Sequence, residues 1–339
     1  MRRALLLYAL AVLIGGCGTA AHVRERDLVS AGPSASAAQR DGARDRRRGG
    51  VRIAVVTHGQ ASSGFWAIVR NGIDAAARQT DVTVNYRSPD IYSVASMRRL
   101  IDQAVATRPD GLVVSIPTPA LGGAIRRAVR AGIPVVSINS GSDTFRRLGV
   151  LAHVGQEEGP AGAAAGRRLA ADGVRHALCV NHEVGNAGPD ERCAAFMRAI
   201  RAAGGTARQI AVTLQDEPGT RRRLTAALGD PSVDGILTLS SDAAEAVLPI
   251  LRASGRAGRV EVGTFDLSPE VLRAVRDGRL RFAIDQQAYL QGYLPVVMLG
   301  QLARYGLFAA QGEVVATGPH FVTRATADQA IQLSQRGIR

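Results

Sequence analysis

The sequence predicts an α/β fold of two doubly wound lobes, each built on a parallel sheet. Short apolar runs alternate with segments of helical periodicity from Val51 onward, which is the pattern of βα units. The series restarts near Gly159 and continues for a similar length. Polar residues also recur where the predicted strands end. Because ligands bind outside the carboxyl ends of parallel strands, we expect a ligand between the two facing sheets.

The first βα unit, Val51 to Gly72, carries the most informative junction. Residues 53–56 form an apolar run that predicts a buried strand, and Ile68 and Ile73 share one face of the following helix. Phe65 and Trp66 lie between them, in a chain with only 4% aromatic residues. Two rings at this position favour stacking on the apolar face of a sugar ring, although they could instead cap the core under a loop.

The remaining elements follow from the same two periodicities. In the first lobe, strands are predicted at 82–86, 111–116, 134–138 and 148–154, and helices at 94–106 and 120–131. Further helices are predicted at 159–171, 189–202, 220–228, 243–252, 268–276 and 288–304. Further strands are predicted at 177–180, 209–212, 235–239, 260–264, 280–284 and 320–323.

The N-terminus has the features of an export signal. Arg2 and Arg3 precede an apolar stretch at residues 4–14, which is too short for a comfortable membrane span. The stretch ends at Cys17 in a sequence that resembles a bacterial lipobox, so we expect 1–17 to be a lipoprotein signal peptide and Cys17 to be lipidated. Ordinary cleavage after Ala21, which would release a soluble protein, is the alternative. The composition of residues 18–50, which have no periodic apolar pattern, predicts a flexible tether.

The charge does not indicate a nucleic-acid-binding protein. The net charge is +13 and the chain contains no lysine. The arginines are dispersed apart from two runs, at 46–48 and 221–223, and neither run has interleaved aromatic residues. We interpret them as solvated surface. The absence of lysine also excludes a P-loop and a Schiff-base lysine.

Catalytic and metal-binding motifs are missing from the sequence. His182 and Glu183 do not form a zincin motif, because Asn186 occupies the place of the second His. There is no nucleophile elbow and no dinucleotide-binding glycine motif after a strand. We therefore expect no enzyme activity, cofactor or metal. Cys179 and Cys193 lie near a strand end and early in the next helix, where either a disulfide or two buried thiols would fit.

Polar residues at the strand ends are candidates for a binding site. They are Ser115, Asn139, Asn181, Asn186, Ser240, Ser241, Asp242, Asp266, Asp285, Gln286 and Gln287. Helix capping explains any one Ser, Asn or Asp, but Gln is a poor cap. Arg192 lies near a helix N-terminus, where the macrodipole disfavours a cation. It therefore binds either a ligand or a structural carboxylate.

Several segments together resemble the periplasmic sugar-binding proteins of the ribose/galactose type. These segments are GFW at 64–66, PVVSINSG at 134–141, HEVGN at 182–186, GTFDLSPE at 263–270 and AIDQQAYLQGY at 283–293. The resemblance covers 51–339 and implies a type I periplasmic binding protein fold, with a three-strand hinge. It implies an N-terminal lobe of 51–152 plus 287–315, and a C-terminal lobe of 153–286 plus 316–339.

The resemblance also implies a set of ligand-binding residues. It matches Phe65, Trp66, Asn139, Arg192, Ser241, Asp266 and Gln286 to sugar-binding positions. By the same resemblance, Ser63 lies in the loop of Phe65 and Trp66. We add Asn186 from the loop that follows the strand predicted at 177–180. Asn139 stands where the family usually has Asp, and Ser241 where it often has Asn. One carboxylate is therefore missing, and a pentose or hexose preference cannot be carried over.

The function implied is that of the substrate-binding subunit of a bacterial ABC importer. We expect a monomeric, exported, membrane-anchored lipoprotein that binds a sugar or polyol and contacts an ABC permease. A ligand sensor for a membrane receptor or histidine kinase has the same fold and stays open. A transcription regulator would need an N-terminal helix-turn-helix, where this chain has a signal peptide. A hydrolase that acts in the cleft is a further alternative, and turnover of a bound sugar would reveal it.

Overall fold

The computed structural model describes residues 50–59, 63–89 and 92–339. The predicted signal peptide, Cys17 and the tether up to residue 49 lie outside these residues. Within them, the predicted fold class is confirmed: two six-stranded sheets are each covered by helices, and all strand pairs given by the sheet registers are parallel except one.

The first sheet has the strand order β11-β5-β4-β3-β1-β2. Its strands are β1 (Val51–Val56), β2 (Val82–Arg87), β3 (Gly111–Ser115), β4 (Val135–Ile138), β5 (Ala152–Gly155) and β11 (Val314–Ala316). Its helices are α1 (Gly64–Thr80), α2 (Val94–Ala106), α3 (Gly122–Arg130) and the late α9 (Ala288–Tyr305), which packs on α1. The central strands β3 and β4 are buried throughout because helices cover both faces.

The second sheet has the equivalent order β12-β10-β9-β8-β6-β7. Its strands are β6 (His176–Asn181), β7 (Thr206–Ala211), β8 (Gly235–Thr238), β9 (Glu261–Phe265), β10 (Phe282–Asp285) and the antiparallel β12 (His320–Val322). Its helices are α4 (Glu158–Ala171), α5 (Ala187–Ala202), α6 (Glu217–Leu228), α7 (Ser241–Ala253), α8 (Pro269–Arg276) and α10 (Ala327–Gln335).

The chain passes between the two sheets three times. The first passage follows β5 and leads into α4, the second lies between β10 and α9, and the third lies between β11 and β12. Gln291 of α9 joins two of these passages, because its Nε2 donates to the carbonyl oxygen of Gln286 and to Oγ1 of Thr317. The backbone N–H of Thr317 donates to the carbonyl oxygen of Gly155 at 2.9 Å, which joins the third passage to the first. The three segments are therefore adjacent, as a hinge requires.

Two sequence-based element predictions need correction, and two elements were not predicted. The strand expected at 148–154 is only β5, because residues 145–148 form a 3₁₀ turn that ends at Gly149 with a left-handed backbone. The strand expected at 209–212 begins earlier, at Thr206, where it pairs with His176 of β6. Strand β11 has only three residues and helix α10 has few large apolar residues, so neither showed a clear periodicity.

Helices α1 and α9 make backbone contact through two glycines. A Cβ added at Gly292 would lie 2.0 Å from the carbonyl oxygen of Val69, and one at Gly72 would lie 2.0 Å from that of Tyr289. Because no real Cβ tolerates such a distance, both positions require the absence of a side chain. The contact places the start of α9, which follows the second passage between the sheets, directly against α1.

Gly292→Ala is therefore expected to lower the free energy of unfolding by about 1–3 kcal/mol, because the helices must separate. Gly123→Ala in α3 is the control, since a Cβ there meets only Nη1 of Arg127 at 3.8 Å. The control should match or slightly exceed the original stability. Urea titrations followed by circular dichroism measure both changes. Equal stability of the two variants would contradict the close contact between α1 and α9.

Cys179 of β6 and Cys193 of α5 form a disulfide in the structure, with their Cα atoms 5.8 Å apart. Both residues are fully buried. The bond connects β6, which lies next to the edge strand of the second sheet, to the helix that carries Arg192, so it holds that helix close to the sheet. In the described part of the chain, the helices are all too short or too polar to cross a membrane.

Candidate functional site

A cleft between the two lobes lies at the carboxyl ends of both sheets. About 560 Å³ of space is free of protein atoms there, solvent at the mouth included. All nine side chains proposed from the sequence line the cleft: Ser63, Phe65, Trp66, Asn139, Asn186, Arg192, Ser241, Asp266 and Gln286.

Asn139 and Asp266 occupy equivalent positions in the two lobes. Asn139 directly follows β4 and Asp266 directly follows β9. Both have a left-handed backbone, with φ of 62° and 67°. Asn and Asp tolerate this conformation better than most residues, and such backbone strain is common in ligand-binding sites. The turn directs each side chain into the cleft from the end of its strand.

Arg192 is buried and held by a carboxylate behind it. Its Nε donates to Oε2 of Glu158 at 2.5 Å, and its Nη2 donates to Oε1 of Glu158 at 2.8 Å and to Oε1 of Gln286 at 2.7 Å. The guanidinium also stacks over the ring of Phe265, 4.7 Å from its centroid. Among the residues that the structure describes, these contacts use Nε and Nη2, so the two N–H groups of Nη1 are left to serve a ligand.

Arg192 therefore does both of the jobs that the sequence left open. It forms a structural ion pair with Glu158, and it also lines the cleft. Glu158 was missed in the sequence analysis. It lies in the first turn of α4, 3% exposed, whereas the adjacent Glu157 is exposed. The pattern of the two glutamates alone does not distinguish them.

The Asp266 carboxyl group has an unusual protonation equilibrium. Burial raises its pKa to about 7, although the Arg192 charge and a hydrogen bond from Gln286 favour the ionised form. Nε2 of Gln286 donates to its Oδ1 at 2.5 Å. A perturbed carboxyl group in a cleft is a recognised sign of a functional site. Ionised Asp266 is an acceptor for ligand hydroxyl groups.

The two aromatic rings differ in exposure. Trp66 is 6% exposed and packs edge-on against both His58 and Phe65, with centroid distances of 5.1 and 5.2 Å. Phe65 is half-buried. Phe65 therefore offers more surface for stacking, while Trp66 supports it and belongs largely to the core of the first lobe.

Ser63 and Ser241 differ in how freely they can contact a ligand. Ser63 precedes α1, and its side chain makes no capping hydrogen bond. Helix α7 is capped by Ser240, whose Oγ accepts from the backbone N–H of Ala243 at 3.2 Å. Ser241 is therefore not needed as the cap, and its buried hydroxyl lines the cleft from the second lobe.

Direct hydrogen bonds join the two lobes at one side of the cleft. The backbone N–H of Ala187 donates to the carbonyl oxygen of Pro117 at 2.9 Å. Oγ of Ser140 donates to Oδ1 of Asn186 at 3.1 Å, and Nδ2 of Asn186 donates to Nε2 of His58 at 3.3 Å. These contacts cross from the first lobe to the start of α5, so the structure represents a closed arrangement of the lobes.

His58, His182 and Glu183 line the cleft without having been proposed as binding residues. His58 follows β1, and its Nδ1 lies 2.8 Å from Oγ of Ser115. Glu183 accepts a hydrogen bond from Asn186 at 2.7 Å. The signal that would have found them is the same strand-end position that identified their neighbours. No three of the described His, Cys, Asp and Glu side chains are arranged as a metal site.

The comparison with protein families decides the classification. The model of the periplasmic binding protein domain matches residues 53–307. The chain belongs to this family. A type I periplasmic binding protein binds its ligand between two such lobes, and here the cleft is in that place.

Similar proteins extend the comparison beyond the family model. The structure of a carbohydrate transporter from Acidothermus cellulolyticus, in complex with myo-inositol, is 36% identical in sequence. It covers 86% of this chain and all of its own, with a TM-score of 0.80.

Two relatives known by sequence are more distant from this periplasmic binding protein. The xylose/arabinose-binding protein XylF of Sulfolobus acidocaldarius is 25% identical over 73% of this chain. The D-ribose/D-allose-binding protein of Pseudomonas aeruginosa is 27% identical over 60% of this chain. The chain spans 65% and 66% of the lengths of these two relatives.

Proposed function

We propose that this protein captures a sugar or polyol between its two lobes and delivers it to an ABC importer. The observation that carries the proposal is the convergence of the nine proposed side chains on one cleft. Arg192 and Asn139 supply donors, Asp266 and Gln286 supply acceptors, and Phe65 supplies an apolar face. That combination recognises a polyhydroxylated ring.

The proposed binding step couples ligand capture to lobe closure. Hydrogen bonds to charged groups contribute about 1.5–3 kcal/mol each. Arg192, Asp266, the amide side chains and ring stacking can together reach the roughly 8 kcal/mol of micromolar affinity. A ligand that contacts Asn139 in one lobe and Asp266 in the other favours the closed arrangement by its differential affinity. The membrane permease would recognise that closed form.

Cyclitols are the first ligands to test, and pentoses and hexoses the next. Support for cyclitols comes from the similar carbohydrate transporter crystallised with myo-inositol. Support for pentoses comes from the relatives named for xylose, arabinose and ribose. Asn139, in place of the carboxylate that the family resemblance leads one to expect, makes this cleft differ from those of the better-known members.

A thermal-shift screen of the purified chain tests the proposal. A ligand at a hundredfold its dissociation constant should stabilise the protein by about 2.7 kcal/mol, which gives a clear rise in melting temperature. The screen uses myo-inositol, scyllo-inositol, pentoses, hexoses and linear polyols. A rise in melting temperature with the compounds of one of these classes supports the proposal. A folded protein that responds to none of them argues against it.

Lipid anchoring at Cys17 is part of the proposal and has its own test. Cys17→Ser removes the thiol that would carry the diacylglycerol, so we expect the protein to move from the membrane fraction to the soluble fraction. Membrane fractionation with an antibody measures the distribution. Ala21→Ser, which leaves Cys17 intact, is the control and should stay with membranes. Continued membrane association of Cys17→Ser would contradict the anchor.

A further inference from the structure

Carboxyl groups outnumber arginines around the cleft. Glu183 and Asp266 line it, Asp242 lies exposed at its edge, and Glu158 lies directly behind Arg192. Arg192 is the only arginine among the described residues that line the cleft. An incoming ligand therefore encounters an acidic surface.

The positive charge of Arg192 is already balanced. Glu158 accepts hydrogen bonds from both Nε and Nη2, and both side chains of this pair are at most 5% exposed. A carboxylate or phosphate binds best to two parallel N–H donors of a guanidinium that carries net charge. Here the Nε–Nη2 edge is occupied, and the pair as a whole is neutral. An anionic ligand would find only the two N–H groups of Nη1.

The histidines do not offset the acidic groups. Burial lowers the pKa of both His58 and His182, although Glu183 opposes that effect on each. Since Nε2 of His58 accepts from Asn186, the ring is neutral in this arrangement. Nδ1 of His182 is buried without a hydrogen-bond partner among the described residues.

Glu183 is the acidic residue best placed to contact a ligand substituent. Its Oε2 accepts from Nδ2 of Asn186 at 2.7 Å, and its Oε1 lies 4.0 Å from Nε2 of His182. Its side chain is 39% exposed at the cleft. Burial acts to raise the pKa of Glu183, but the hydrogen bond from Asn186 and the charge of Arg192 favour the ionised form, and the pKa is lowered overall. The ionised carboxylate keeps lone pairs for a donor.

Resting on the proposed function, we infer that the cleft selects its ligand by charge. It binds neutral or amino-substituted polyhydroxylated rings and rejects rings that carry a carboxylate or phosphate. Glu183 sets the preference for an amino group, because an ammonium donor forms a charge-assisted hydrogen bond with its carboxylate. The ligand class is therefore the neutral sugars and cyclitols together with their aminodeoxy analogues.

Calorimetric titration of three matched series tests the inference. The series are myo-inositol with its aminodeoxy analogues and an inositol monophosphate, and D-glucose and D-galactose each with their aminodeoxy analogues and uronate. In a series whose neutral member binds, we expect the best amino analogue to bind about tenfold tighter. We expect the anionic member to bind at least about 100-fold more weakly, because like charges oppose each other in a cleft with little water.

Glu183→Gln tests whether Glu183 causes the preference for an amino-substituted ligand. Gln keeps the size of the side chain and an oxygen acceptor for Asn186, so the measured quantity is the ratio of amino to neutral affinity. We expect this ratio to fall to about one. Glu217→Gln is the matched control, because Glu217 is an exposed glutamate at the start of α6, outside the lining of the cleft. It should keep the ratio of the original protein.

The outcomes separate the two proposals. A neutral member that binds without any advantage for its amino analogues overturns the inference and leaves the proposed function standing. The same holds if the anionic member binds as tightly, or if Glu183→Gln keeps the full ratio. If no neutral member of any series binds, the proposed function fails for these ligands, and the charge inference fails with it.

Discussion

Asp266→Asn should weaken ligand binding by about 100-fold while the protein stays as stable as the original or becomes more stable. The loss of affinity follows from removing a charged acceptor for ligand hydroxyls, worth about 1.5–3 kcal/mol. The stability is maintained because burial disfavours the ionised carboxyl group, as its pKa of about 7 indicates. A neutral amide avoids the cost of burying a charge. Replacing a functional residue often raises stability in this way.

Two measurements on the same samples check this expectation. Calorimetry with the tightest ligand gives the affinity, and urea titration at pH 8 gives the free energy of unfolding, for which a gain on the order of 1 kcal/mol is expected. Asp328→Asn makes the same chemical change at an exposed position in α10, outside the cleft lining, and should leave the affinity unchanged. An Asp266→Asn protein with the original affinity would remove Asp266 from the binding site.

The affinity should also depend on pH. Ligand hydroxyls donate to ionised Asp266, and its pKa in the free protein is about 7. Affinity should therefore be constant above about pH 8 and fall about tenfold per pH unit well below 7, because the Asp266 carboxyl group must lose its proton before the ligand binds. The effect of this group on folding has the opposite sign. Its folded pKa is raised above the unfolded value, so its contribution to stability falls as pH rises from about 4 to 7.

Calorimetry between pH 5.5 and 8.5 tests the pH dependence. The Asp266→Asn protein provides the control, since it lacks the titrating group and its remaining affinity should stay nearly flat across this range. A flat profile for the original protein would show that ligand binding does not require Asp266 in its ionised form.

Glu158→Gln should have the largest effect on stability of any single replacement considered. Glu158 holds buried Arg192 through two hydrogen bonds, and Arg192 is 4% exposed. Removing one partner of a buried ion pair leaves an uncompensated charge, which lowers stability by about 3–5 kcal/mol. Ligand affinity should fall at least about tenfold, because Nη1 of Arg192 loses its fixed position.

A second replacement separates the ion pair from the fold as a whole. Replacing Arg192 by Gln in the Glu158→Gln protein removes the unpaired charge, so much of the stability should return while binding stays weak. Glu157→Gln is the matched control, because Glu157 is the exposed neighbour of Glu158 and its side chain makes no capping hydrogen bond. Urea titrations should place Glu157→Gln at the original stability. A Glu158→Gln protein that matches it would contradict the role of the ion pair.

Much of the architecture could be predicted because parallel sheets have strong local signals. Apolar runs such as Leu112–Val114 are fully buried, and the polar residue after each strand lies at the same edge of its sheet. That rule is enough to bring Asn139, Asn186 and Asp266 together without any knowledge of side-chain packing. The same rule identified Phe65 and Trp66 after the first strand, and the resemblance then added Ser63 from their loop.

The rest depends on contacts between segments distant in the chain. Glu158 and Arg192 are 34 residues apart, and nothing in the adjacent Glu157 and Glu158 indicates which of the two is buried. His58 and Asn186 meet across the lobes, 128 residues apart. The strand β11 was missed because three residues carry no readable periodicity, and its place is fixed by pairing with β5.

A crystal structure with the tightest ligand from the thermal-shift screen is the most direct test of the proposed function. We expect a neutral ring between the lobes, with hydroxyl groups within hydrogen-bond distance of the Asp266 carboxylate and of Nη1 of Arg192, and one ring face against Phe65. A ligand bound elsewhere on the protein, or one that fills the cleft without contacting Asp266 or Arg192, would contradict this account of the site.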